Sequence, residues 1–130
     1  MQKDNVIKRL QELYLYDLYG FRLELKPLAE LLNIGEILNC VATGVYKGRR
    51  RMIAVTDYRV LVIASSVLAA TEVFIIQRSA ITSYSVKKRL IGSNLHLETA
   101  KETYVFTNTQ KRILDLFLWA LGLPVKQFDT

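Results

Sequence analysis

Lys47, Arg49, Arg50 and Arg51 set four cations within five positions. Side chains of this kind, crowded on a turn at the rim of a small domain, can hold an anion through several charge-assisted hydrogen bonds at once. Lys87, Lys88 and Arg89 form a second, contiguous cluster, while the acidic residues are scattered. The net charge of +6 and a pI near 9.6 favour acidic partners: phospholipid headgroups, nucleic acid or an acidic protein face. The same arginines have a plainer use, which is to solubilise a hairpin and turn it away from edge pairing.

The residues that could do covalent or metal chemistry are few. His96 is the single histidine and falls on the outward phase of a strand-like run, with no cysteine or second histidine to share a metal. Ser65, Ser66, Ser79, Ser83 and Ser85 lack a glycine elbow, and a Ser–His pair with His96 requires strands to coincide in a way the sequence does not specify. Cys40, the only cysteine, sits among apolar residues and reads as a small buried side chain. Gly44 and Gly48 match neither nucleotide-binding fingerprint. No enzymatic activity and no cofactor is expected.

The elements that must position the basic clusters are strands. After Gly35, runs at 37–46, 52–56, 59–64, 71–77, 81–86, 93–99 and 103–107 are rich in β-branched and aromatic residues, which predicts seven strands in an antiparallel meander. Lys47-Gly48-Arg49 is expected to reverse the chain, and the basic residues 47–51 to crowd that turn. At 56–58, Asp57 is expected to bond the backbone two residues on. Alternation is cleanest at 94–98, where Leu95 and Leu97 should face a core.

Helical periodicity flanks the strands. Val6, Ile7, Leu10, Leu13 and Tyr14 recur at three- and four-residue spacing over 4–18, with Gly20 as a stop. Pro27 reads as an early residue of a second short helix through Leu28, Leu31 and Leu32, ending near 33–35. A last helix over 110–121 carries the stripe Leu114, Phe117, Leu118 and Leu121, with Thr109 placed to cap it and Gly122 and Pro124 to end it. Ile113, Leu116, Trp119 and Ala120 add apolar surface on its flanks. Such a helix needs cover on a second side, from the N-terminal helices or from another subunit, so these four residues are interface candidates. The length of 130 residues suits one core, and no apolar run approaches the ~20 residues that span a bilayer. A cytoplasmic protein without a cleaved signal is expected.

This order of elements resembles the bacterial pleckstrin-homology-like (PH-like) family. The likeness covers about 32–121 and rests on Gly35-Glu36-Ile37-Leu38 leading into the first strand and on Val55-Thr56-Asp57-Tyr58-Arg59 between two strands. Ile75-Ile76 followed by Ile81-Thr82-Ser83, and Leu95-His96-Leu97 before Tyr104-Val105-Phe106, complete it. The resemblance implies an α+β, mainly β fold: a strongly bent antiparallel sheet forming a partly open barrel or sandwich, with a C-terminal helix plugging one end. On that view 1–34 is a helical extension packed on a PH-like domain at 35–130. The resemblance also implies a binding and assembly role without an active site. Self-association or docking of another protein is the leading expectation, through the apolar flank of 113–120, the N-terminal helix or an exposed strand edge.

The alternative is peripheral binding to anionic membrane headgroups through 47–51. That cluster resembles, in placement, the loop with which eukaryotic PH domains grip inositol phosphates. Nucleic acid is disfavoured: Tyr14, Tyr16, Tyr19 and Phe21 surround a helix end at mixed spacing, which suits packing better than base stacking.

Overall fold

Arg59–Ala64 is buried at all six positions, the pattern of a strand covered on both faces. The computed structural model shows what covers it. It describes Lys8 and residues 22–66, 70–88, 90, 92–109, 122 and 125–127. Helix α1 (Arg22–Leu31) precedes β1 (Leu38–Tyr46), β2 (Arg49–Thr56), β3 (Arg59–Ala64) and β4 (Glu72–Gln77). A 3-10 turn at Arg78–Ala80 leads to β5 (Ile81–Lys88), β6 (Ser93–Thr99), β7 (Thr103–Thr109) and β8 (Val125–Gln127). The strands form a single sheet in the order β4-β3-β2-β1-β7-β6-β5-β8, bent between β1 and β7.

Gly44 sits at the close approach of β1 to β7. A Cβ built there would lie 3.1 Å from Phe106 Cβ, 3.2 Å from Thr109 Cγ2 and 3.3 Å from Ile53 Cδ1. A side chain there would require these neighbours to give by a few tenths of an ångström, so glycine suits the close pass of β1 by β7, where Val45 pairs with Thr107. The two halves of the sheet then enclose Ile53, Leu95, Leu97 and Phe106, all fully buried. On the other face of the first half lies α1, whose Leu25, Leu28 and Ala29 join Leu32 in the same buried cluster and pack against β3. The strand segments 40–44, 51–56 and 59–64 are therefore covered on both faces, which is why their runs are apolar without clean alternation, whereas β6 alternates.

All seven expected strands form and are antiparallel to one another, but not as one meander: β4 and β5 do not pair, and β1 pairs with β7 instead. Their edges differ where local geometry decides. Lys47 and Gly48 alone make the first turn, with φ of +50° and +74°, both in the left-handed region. The ladder consequently resumes at Arg49, and Arg49, Arg50 and Arg51 lie in β2 rather than crowding the turn. Pro27 stands in the middle of α1 rather than near its start. It cannot supply the N–H that the Leu23 carbonyl would accept, and Leu23 is exposed, where water can serve that carbonyl. The short β8, parallel to β5, was not expected from the sequence; three residues carry no readable period. Apart from Lys8, the expected helices over 4–18 and 110–121, and with them the helix that would plug the barrel, lie outside the described residues. Among the described residues no helix is long and apolar enough to cross a membrane.

Candidate functional site

The β1–β2 hairpin divides its cations between two faces. Arg49 and Arg51 share one face of β2, with Tyr46 and Gly44 opposite them, and Arg50 takes the other beside Val45. Arg49 Nη1 lies 2.9 Å and Arg51 Nη2 3.2 Å from Glu72 Oε2 on β4. Arg49 also donates to the Ala70 carbonyl at 3.4 Å. Arg51 is nearly enclosed: its Nε donates to the Tyr46 carbonyl at 3.1 Å, and its guanidinium lies 5.4 Å from the Tyr46 ring centroid and 5.7 Å from that of Phe74. The hydrogen bond from Arg49, with the charges of both arginines, holds the Glu72 carboxyl below the usual carboxylate range.

An aromatic cluster backs these ion pairs. Tyr46 sits 5.1 Å from Phe74, 5.4 Å from Phe106 and 6.1 Å from Tyr104, and Phe74 stacks on Tyr104 at 5.6 Å. Lys47 is exposed with Nζ 5.5 Å from the Tyr46 centroid, and Arg50 is exposed. The four cations thus do not converge on one solvent volume: Arg49 and Arg51 meet on Glu72, Lys47 lies by the Tyr46 ring, and Arg50 is on the opposite face of β2. Glu72, Phe74 and Tyr104 are not among the site residues expected from sequence, because only the pairing of distant strands brings them to the hairpin. The second cluster stands on a separate hairpin, with Lys87 opposite Asn94 and Lys88 opposite Ser93, and Lys87 half-buried. Arg89 and the interface candidates Ile113, Leu116, Trp119 and Ala120 lie outside the described residues.

Strand register does bring a serine against the histidine. Ser85 on β5 is the direct cross-strand partner of His96 on β6. The Ser85 hydroxyl is fully buried and makes no hydrogen bond, so nothing activates it as a nucleophile. Burial, together with the Lys87 charge and against the pull of Glu98, lowers the His96 pKa. Ser83 donates to Glu98 Oε2 at 3.0 Å. Cys40 is fully buried, and its thiol is pushed up to about 12 by burial, far from the thiolate that reacts. Among the described residues no three His, Cys, Asp or Glu side chains gather as a metal site.

At the β2–β3 turn the sequence expectation needs correction. Thr56 rather than Asp57 bonds the local backbone: its hydroxyl accepts from Arg59 N at 3.1 Å and donates to Glu36 Oε2 at 2.7 Å. Asp57 instead reaches back to accept from Ile37 N at 3.0 Å, while its own N–H donates to the Ile37 carbonyl. A threonine buried beside a carboxylate outcompetes an exposed aspartate for the turn. Beneath it Arg59 donates to both Glu36 oxygens, at 2.8 and 2.7 Å, and to the Leu31 carbonyl, tying the end of α1 to the sheet.

One border of the sheet is β4, which among the described residues pairs only with β3. Its sequence Glu-Val-Phe-Ile-Ile-Gln contains no proline or bulge, and Val73 and Ile75 are exposed at 38% and 41%. Unprotected apolar edges of this kind invite another strand.

The model of the family described as the bacterial PH domain matches residues 32–121. The chain belongs to that family. Among solved structures, the hSac2 domain from human phosphoinositide phosphatase Sac2 shares the fold at a TM-score of 0.58 and 10% identity, with 100% of this chain and 92% of that one covered. No curated protein matches the chain. The PH-like fold typically serves as a binding or docking module.

Proposed function

We propose that this bacterial PH domain is a noncatalytic, cytoplasmic docking module that binds protein by adding a strand to β4. The observation that carries the reading is the edge of β4, which among the described residues pairs only with β3 and exposes Val73 and Ile75 on one side. Main-chain hydrogen bonds supply the affinity in this mode, and the outward apolar side chains the selectivity. The enclosed Ser85 hydroxyl and Cys40 thiol support the noncatalytic part.

The reading of the 47–51 hairpin as an anionic-headgroup site is less well supported by the geometry. Arg49 and Arg51 would have to leave Glu72 to reach a phosphate. Exposed cations at about 1 kcal/mol each give only weak, salt-sensitive attraction.

A fluorescently labelled synthetic peptide spanning 71–78, an extended strand of suitable length, tests the docking reading. Saturable anisotropy change with the full chain, reduced at least tenfold by Ile75→Lys, is expected. Absence of binding, or binding that ignores the substitution, removes β4 as the docking edge.

A further inference from the structure

The direction of each backbone group on β4 follows from one hydrogen bond. Arg78 N donates to the Tyr58 carbonyl at 3.0 Å, and these two residues continue the β3–β4 register that pairs Arg59 with Gln77. Tyr58 and Arg78 are thus a hydrogen-bonded pair of the antiparallel ladder. Such pairs alternate with non-bonded ones, so Ile76, Phe74 and Glu72 also turn their N–H and C=O toward β3. The N–H and C=O of Val73, Ile75 and Gln77 therefore point away from the sheet, along the open edge. Val73 and Ile75 present their side chains on the same exposed face.

We propose that the strand docking on β4 is β4 of a second copy of this chain, antiparallel, about a two-fold axis through Ile75. This rests on the docking reading above and names its partner. In that register Ile75 meets Ile75 of the second copy and Val73 meets its Gln77. Every outward N–H on one strand then finds an outward C=O on the other. A register shifted by one residue, centred on Phe74, leaves Gln77 without such a partner within the strands. The same register sets Glu72 opposite Arg78 of the second copy, so each end of the strand meets the opposite charge. Glu72 keeps a side chain 54% exposed beside its own arginines. Arg78 donates from Nη1 to the Thr56 carbonyl at 3.0 Å, which holds its guanidinium at this end of the strand. A two-fold contact is self-complementary and closes on itself, so the product is a dimer with one continuous sheet rather than a filament.

Sedimentation equilibrium of the full chain over a wide concentration range should show a monomer–dimer equilibrium. Ile75→Lys, an exposed change that sets two ammonium groups face to face at the axis, should weaken dimerisation at least tenfold while circular dichroism stays unchanged. Ile75→Cys under mild oxidation should give a disulfide-linked dimer, since facing residues of a bonded antiparallel pair lie about 5.5 Å apart at Cα, within disulfide reach. Val73→Cys should cross-link with Gln77→Cys and far less with itself, which fixes the register. Cys40 is buried and stays out of these reactions. A strictly monomeric chain without the Ile75→Cys cross-link, or a dimer indifferent to Ile75→Lys, overturns the proposal. Peptide 71–78 binding by a monomeric chain would reject the second copy yet retain the docking edge; loss of both rejects both.

Discussion

Two glutamates near α1 are equally withdrawn from water, at 3% exposure each, and their environments treat them oppositely. Glu36 is surrounded by donors. Burial alone would push its carboxyl up, but hydrogen bonds from Arg59, Thr56 and the Asn33 backbone N–H, with the Arg59 charge, outweigh that and hold it at about 2. Glu24, on α1, has a backbone N–H from Ser65 and the more distant charges of Arg49 and Arg50, while its Oε2 has no hydrogen-bond partner. Burial wins there and the carboxyl is raised. The contrast teaches that depth does not decide whether a buried carboxylate strengthens a fold; the number of donors converging on both oxygens does.

Breaking the Glu36 side has the largest expected effect. Arg59→Ala leaves a buried carboxylate without its guanidinium and frees the Leu31 carbonyl, and should cost about 3–5 kcal/mol in chemical denaturation. A loss below 1 kcal/mol would mean that water already serves Glu36.

The pH dependence comes next. The folded-state pKa of Glu36 lies below its unfolded value, so its contribution is fully present above about 4.5 and is lost as pH falls through about 2, a change on the order of 3 kcal/mol. Glu24 runs the other way. Its raised folded value gives stability that is present below the unfolded pKa and lost as pH rises through the folded one. Thermal midpoints measured across pH should therefore peak on the mildly acidic side, and Glu24→Gln should flatten the decline toward neutrality while leaving the acid limb untouched.

At neutral pH, Glu24→Gln retains an acceptor for Ser65 N–H and removes a buried charge, so a gain of about 1 kcal/mol is expected by urea titration. The smallest effect belongs to Glu72→Gln. Its side chain is half in water, and exposed ion pairs contribute little, so the midpoint should stay close to that of the unsubstituted chain and lose what salt dependence it has.

These differences mark where sequence reading succeeds. The strands were legible because β-branched and aromatic runs are local signals, and Leu95 and Leu97 could be assigned inward from alternation alone. The PH-like architecture was legible because the order of strands and turns survives without any single diagnostic residue. The Glu36–Arg59 pair was not, since nothing local says that residues 23 positions apart will share a buried contact. Nor was the commitment of Arg49 and Arg51 to Glu72, which depends on β2, β3 and β4 lying side by side. Thr56 was missed in favour of Asp57 because turn propensity ranks aspartate higher, and propensity knows nothing of a carboxylate beneath the turn. That β4 pairs only with β3 among the described residues is likewise a property of strand order, which no run of residues encodes by itself.

Cys40, fully buried between Val55 and the rest of the inner face, supplies the molecule with its own clock. A thiol-labelling reagent in excess reaches that sulfur only while β1 stands apart from β2. The labelling rate of the unaltered chain therefore counts how often the doubly covered hairpin comes open, one sulfur atom keeping time for the whole first half of the sheet.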